Sequence, residues 1–165
     1  MMIVTDESIK QQWYDTFTDE YELQAIVLAQ YLREGDNRPD YDDAQSWFDN
    51  EDYLVYTDEE ADEAVREEIE EMVWAFTPSF LSAHTDVDEE VFVALADRCE
   101  GNNDSYKRMI KDFDAFVEEA VACGGRGHFL AGYDHEEHYC DWQTVEHKDD
   151  KYETVTTEYY IYRRN

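Results

Sequence analysis

Basic residues are what this chain has least of for its size. Thirteen lysines and arginines face forty-three aspartates and glutamates, leaving a formal net charge of −30. A surface of that sign repels phosphates, so direct binding to DNA or RNA is not expected. Proline is nearly missing, with only Pro39 and Pro78, and glycine is sparse at six. No proline-rich or glycine-rich linker divides the chain, and residues 1–165 read as a single acidic domain. Cysteine stops at three, Cys99, Cys123 and Cys140. An odd number closes no disulfide framework, which fits reduced thiols and a cytoplasmic location. No stretch approaches the ~20 apolar residues of a membrane span. The opening MMIVTDESIK lacks the basic start and apolar centre of a secretory signal.

What is present argues for a folded core. The chain is 42% hydrophobic and 15% aromatic, whereas acidic disordered chains are poor in aromatics. Helical spacing dominates to about residue 122. Ile9, Trp13 and Phe17 share one face, and Thr18 is a cap candidate before Leu23, Ile26, Val27 and Tyr31. EGDNRPD reads as a loop, and Ala44, Trp47 and Phe48 mark a short helix. Thr57 and Glu60 make a capping-box pattern before a stripe of Ala61, Val65, Ile69, Met72, Val73 and Phe76, which Pro78 is expected to end. PSFLSAH reads as a short helix. Asp86 and Glu89 are cap candidates for another, with Val91, Phe92, Leu95 and Ala96 inward. Tyr106, Met109, Ile110, Phe113, Phe116, Val117 and Val121 keep one helical stripe, with Gly124 and Gly125 placed to end it.

Beyond that point the pattern changes. GHFLAGY and YETVTTEYYIYRR are rich in β-branched and aromatic residues and read as strands. YLVY, Tyr53 to Tyr56, is a candidate third strand, and CDWQTVE is placed to pair through the HKDDK turn. The expected fold class is α+β. It is mostly helical, with helices mainly over 5–122 and a small antiparallel sheet formed largely by the C-terminal segments, the β-rich part covering 127–163.

The charge follows this division. Residues 1–122 hold 34 acids and 8 bases, and residues 123–165 hold 9 acids and 5 bases. The excess therefore sits on helices, which fix carboxylate spacing. Asp58, Glu59, Glu60, Asp62, Glu63, Glu67, Glu68, Glu70 and Glu71 crowd TDEEADEAVREEIEEM, and Asp40, Asp42, Asp43, Asp49, Glu51 and Asp52 precede them. Carboxylates at i, i+3 and i+4 stand about 5–6 Å apart at Cβ. That is of the order of phosphate spacing along a nucleic-acid strand, with its rise of about 3.4 Å per phosphate. A protein that grips duplex DNA through lysine and arginine would meet a similar field here. Solvation of an ordinary helix face needs fewer acids. Adaptation to a saline cytoplasm would also enrich acids and deplete lysine, of which there are five.

One segment carries side chains suited to chemistry. GHFLAGYDHEEHYCD contains His128, His135, His138 and Cys140, all competent zinc ligands, spaced H-x6-H-x2-H-x-C, which is no standard finger. HEEH is one residue short of the metalloprotease pattern, no GxSxG occurs, and CGGRG and GNN lack the ending of a phosphate loop. Neither a metal nor a cofactor is expected. An alternative reading, a small metal-binding or hydrolytic enzyme, would draw on Arg126, His128, Asp134 and Glu137. Arg126, Arg163 and Arg164 are otherwise expected to pair with surrounding acids.

YLVYTDEEADEAVREEIEEMVWAFTPSFLSAHT, GRGHFLAGYDHEEHY and the closing YYIYRRN resemble segments of a family of small acidic phage and mobile-element proteins, over roughly residues 53–165. The family pattern runs GRGHFL-x-x-YDGEE and ends in YYIYR-x-N. Gly125 to Leu130, Tyr133, Asp134, Glu136 and Glu137 match it, as do Tyr162, Arg163 and Asn165. His135 replaces a glycine, and residues 138–155 form an added excursion. The resemblance implies a phage or mobile-element setting, and phage proteins of this size and charge are, by class analogy, often counter-defence factors that imitate DNA. The expected function is inhibition of a basic, DNA-binding host defence protein such as a restriction or CRISPR complex, without catalysis. Homodimerisation would lengthen the acidic surface. An acidic scaffold for another basic partner is the second non-enzymatic reading.

Overall fold

The computed structural model describes residues 22–34, 40–96, 101–148 and 151–165. The expected helix around Ile9, Trp13 and Phe17, its neighbouring cap Thr18, most of the EGDNRPD loop, the centre of the HKDDK turn and Cys99 lie outside them. The described chain is α+β. Helices α1 (Leu23–Glu34) and α2 (Tyr41–Asp49) precede strand β1 (Tyr53–Tyr56). Five helices follow: α3 (Asp58–Glu71), α4 (Pro78–Ala83), α5 (Glu89–Leu95), α6 (Asn103–Met109) and α7 (Phe113–Leu130). The hairpin strands β2 (His138–Lys148) and β3 (Lys151–Arg163) come last. No helix among the described residues is long and apolar enough to cross a membrane.

The sheet is antiparallel in the order β1-β3-β2, so the final strand is central. YLVY joins it as expected, Tyr53 opposite Arg163 and Tyr56 opposite Tyr160. The CDWQTVE run also pairs as expected, with Trp142 opposite Thr157. Because successive side chains of a strand point to opposite faces, the sheet serves two cores. Leu54, Tyr56, Tyr160 and Tyr162 pack with Val65, Ile69, Phe92, Phe116 and Leu130 from the α3–α7 side. Tyr53, Val55, Tyr159, Ile161 and Trp142 pack instead with Ile26, Val27, Leu28 and Ala44 of α1 and α2.

Several boundaries differ from those the sequence suggests. Helix α3 has its capping box, Thr57 Oγ1 accepting from the Glu60 N–H and Glu60 from the Thr57 N–H, but it stops at Glu71 and passes into a 3₁₀ turn, Val73–Ala75. Pro78 therefore ends nothing. It occupies the first turn of α4, where its missing N–H costs no hydrogen bond, and Thr77 caps that helix. Asp88, rather than Asp86 or Glu89, occupies the N-cap position of α5. On that short helix only Phe92 is buried, while Val91 and Leu95 are exposed. The apolar stripe from Tyr106 to Val121 belongs to two helices. Ile110 is extended, and Asp112 restarts the chain as a cap by accepting from the Ala115 N–H at 3.1 Å.

The largest correction concerns GHFLAGY. Gly125 does interrupt α7, with φ +74° and ψ 161°, but the helix resumes and runs to Leu130. The β-rich part begins at His138, not at 127. Five residues cannot show a period, so Phe129 and Leu130 gave the appearance of a strand while packing as one short helical face.

Candidate functional site

The acids of α3 fall into two sets with different surroundings. Asp58 and Asp62, one turn apart, both meet the Arg126 guanidinium, whose Nη1 donates to Asp58 Oδ1 at 2.7 Å and to Asp62 Oδ1 at 2.9 Å. Arg126 Nε donates to Glu137 Oε2 at 2.7 Å, and Nη1 also reaches the Asp58 carbonyl at 3.3 Å. Its charged plane lies over the Tyr160 ring, 4.4 Å from the centroid. The Tyr162 hydroxyl donates to the same Glu137 oxygen at 2.5 Å. Arg126 is the hub of this knot, its side chain 11% exposed. Burial opposes its charge, but the hydrogen bonds it donates to Glu137 and Asp58 outweigh that and hold the proton more tightly than usual. Burial, then the Glu137 carboxylate, pushes the Tyr162 hydroxyl well above its ordinary 10.0.

The glycines beside Arg126 explain how the chain reaches this arrangement. Gly125 takes a positive φ that side chains resist, turning the last helical segment so that Arg126 faces the start of α3. Gly127 is buried, and a Cβ there would stand 2.6 Å from the Glu136 carbonyl carbon and 2.7 Å from the Glu137 nitrogen. Only glycine lets the 135–137 loop lie this close, and that approach delivers Glu137 to Arg126.

Of the alternative catalytic set, then, Arg126 and Glu137 meet, but as an ion pair that binds α3, the 135–137 loop and β3 together. Asp134 turns elsewhere. Burial works against its charge, yet the Glu136 N–H and the His138 ring, 3.3 Å away, bring its carboxyl below the ordinary range. His128 is exposed, its ring packed edge-on to Phe129. Its centroid lies 5.9 Å from that of His135, whose backbone has φ +59°. His128, His135, His138 and Cys140 do not converge, and no group of three or more His, Cys, Asp or Glu among the described residues is arranged to hold a metal ion.

The second set points outward. Glu59, Glu63, Glu67 and Glu71 recur every four residues along α3, with Glu68 beside them. The rise of a helix puts successive members about 6 Å apart along the axis, and the row spans about 18 Å. No cation among the described residues lies within ion-pair distance of any of these five. Elsewhere the scarce cations are spent on particular acids: Glu70 with Lys107 at 2.6 Å, Asp114 with Arg66 at 2.6 Å, Glu51 with Arg164 at 3.3 Å, and Asp86 with Lys111. The Lys107 contact draws the Glu70 carboxyl downward.

The acids before α3 are largely structural. Asp40 caps α2, where Asp42 and Asp43 occupy the first turn. Asp49 accepts from Gln45, and Asp52 from the Asn165 amide at 2.7 Å. Glu60 is held in the capping box. The acidic row nevertheless continues beyond the helix. Between the start of α3 and the hairpin lies an open hollow of about 630 Å³, bordered by Asp58, Glu59, Asp141 and Glu158 with Thr156 and Thr157.

Compared with known protein families, characterised proteins and solved structures, the chain matches none.

Tyr160 and Tyr162 are members of the knot that the sequence did not disclose, although their alternation in YYIYR already placed them on one sheet face. Asn103 is another. Its side chain accepts from the Trp74 N–H at 3.1 Å and donates to the Glu70 carbonyl at 2.8 Å, closing the end of α3.

Proposed function

We propose that this chain is an acidic, non-catalytic inhibitor that imitates nucleic acid and occupies the DNA-binding surface of a basic host protein. A restriction, CRISPR or related defence complex in the cytoplasm is the target class, in keeping with the resemblance to phage and mobile-element proteins. The observation that carries the reading is the row Glu59–Glu63–Glu67–Glu71, exposed and without an ion pair, on a helix whose Asp58 and Asp62 are clamped by Arg126. One strand of a duplex carries a phosphate per about 3.4 Å of rise, and this row carries a carboxylate per about 6 Å. It thus supplies over half the linear charge of a strand, before Glu68 and, across the hollow, Asp141 and Glu158 are added. Like charges at i, i+4 cost a helix about 0.2–0.5 kcal/mol per pair, so the row is kept at a loss of about 1 kcal/mol. A cost of that size, uncompensated by nearby cations, is accounted for by a partner that supplies them.

The test is capture of partners from host-cell lysate on immobilised protein, followed by elution with short duplex DNA at fixed ionic strength. The reading expects nucleic-acid-binding proteins to be released by the duplex. A captured partner that duplex fails to displace would instead favour the acidic scaffold.

A further inference from the structure

Behind the C-terminal half of the acidic row lies a cleft of about 160 Å³ between α3, β1 and the end of α7. Leu54, Ala64 and Leu130 contribute apolar lining together with the Tyr56 and Phe129 rings, although most of the accessible lining is polar. Glu67, Glu68, Glu71 and Arg164 complete the lining. The combination differs from a bare acidic patch, because the carboxylates border a concavity that aliphatic and aromatic side chains also line. A dry cavity of about 150 Å³ suffices for benzene, so this one has room for a planar group and the methylenes that carry it.

We infer that this cleft is a socket for an arginine side chain of the basic partner. The aliphatic stem would lie on Leu54, Ala64 and Leu130, and the guanidinium would meet a ring face and the Glu68 and Glu71 carboxylates. Arginine fits better than lysine because its plane stacks on rings and forks onto carboxylates, whereas an ammonium is a compact, strongly hydrated point charge. Arg164 does not fill the socket itself, since its Nη1 is held by Glu51 at 3.3 Å. It leaves the wall with three carboxylates against one guanidinium. The inference deepens the function proposed above, on which the nature of the partner rests. It adds a shaped anchor to a surface that would otherwise act through its field alone.

The probe is Nα-acetyl-arginine methylamide, titrated into isotopically labelled full-length protein and followed by NMR. The corresponding citrulline compound serves as the neutral isostere, and the lysine compound as the cation without a plane. The expected result is saturable shifts at Leu54, Ala64 and Leu130, with a Kd on the order of millimolar, as suits so small a ligand. Citrulline should give none, and lysine weaker ones. Ala64→Met, which fills the cleft without changing charge, should weaken binding about tenfold or more. Glu68→Gln with Glu71→Gln should do the same, and serves if the methionine disturbs folding. Glu89→Gln with Glu90→Gln, an equal change of charge on α5, should leave binding intact. Arg164→Gln should tighten it a few-fold.

Shifts that spread along α3 without saturating would overturn the socket, as would equal binding of citrulline or indifference to both the Ala64 and the Glu68/Glu71 variants. Loss of binding in Arg164→Gln would overturn it too, because removing a like charge from the wall should favour a cationic probe. These outcomes are independent of partner capture. A partner displaced by duplex DNA and bound with equal affinity by native and Ala64→Met protein would leave the mimic standing and remove the socket alone.

Discussion

The inner and outer faces of α3 carry the same residue types and put them to opposite use. On the inner side Asp58 and Asp62 converge with Glu137 on one nearly buried guanidinium, and three segments distant in sequence are tied together. On the outer side Glu59, Glu63, Glu67 and Glu71 are neighbours to one another and within ion-pair distance of no cation among the described residues. The contrast teaches that an extreme net charge is not one property. Part of it is structural and compensated. The remainder is surplus, and only the remainder is available to a partner.

The comparison can be broken most forcefully at Gly127. A methyl there meets the backbone of Glu136 and Glu137 at under 3 Å, so Gly127→Ala must push the 135–137 loop away and pull Glu137 from Arg126. We expect a loss of about 3 kcal/mol or more in denaturant unfolding. A variant within about 0.5 kcal/mol of native would show that the close approach is not needed. Arg126→Gln comes next. Breaking a buried pair costs about 3–5 kcal/mol, but Asp58 and Asp62 are 64% and 68% exposed and can rehydrate. The expected loss is therefore about 2–3 kcal/mol, visible as a lowered urea midpoint.

Alkali should destabilise the fold, in part through Tyr162 beside the Arg126 knot. The Tyr162 hydroxyl is held protonated in the fold well above 10.0, the value of a free tyrosine. As pH rises past that value the unfolded chain loses this proton and the folded chain keeps it. The unfolded state then binds fewer protons, so stability falls with pH. Tyr162→Phe should make the decline above about pH 10 shallower. Tyr31 and Tyr56, also raised chiefly by burial, should keep it from vanishing. An unchanged slope would mean that Tyr162 already ionises in the fold.

The smallest effect has the opposite sign on the two faces. Glu63→Gln with Glu67→Gln removes repulsion on the outer row and should stabilise by about 0.5 kcal/mol, most clearly at low salt, where screening is weak. Glu137→Gln on the inner side should destabilise. If both changes move stability in the same direction, the division of the acids is wrong.

How much of this could be read from the residues alone depends on where the information lies. The capping box at Thr57, the α3 stripe and the pairing of YLVY and CDWQTVE into the sheet are local patterns, and they were legible. So was the expectation that Arg126 and Arg164 would seek acids, whereas Arg163, expected to do the same, lies over the Tyr133 ring and donates to the Asn165 carbonyl. The identity of the three acids on Arg126 was not, because Asp58, Asp62 and Glu137 look like every other carboxylate until the fold brings them together. The helical course of Arg126 to Leu130 was hidden for a related reason. It is set by the Gly125 break and the space behind Gly127, neither of which a five-residue pattern records. Asp112 shows the reverse case, a cap signal present in the sequence but masked by apolar spacing that happened to continue across it.

The most direct measurement is the affinity of a captured, duplex-displaceable partner as salt is raised, for the native chain and for one carrying Gln at Glu59, Glu63, Glu67 and Glu71. The account predicts nanomolar-class binding to the native chain at low salt, a steep fall in log affinity with log salt concentration, and a weaker, shallower dependence for the variant. Affinity that stays constant up to half-molar salt, or that the four substitutions leave unchanged, would contradict it.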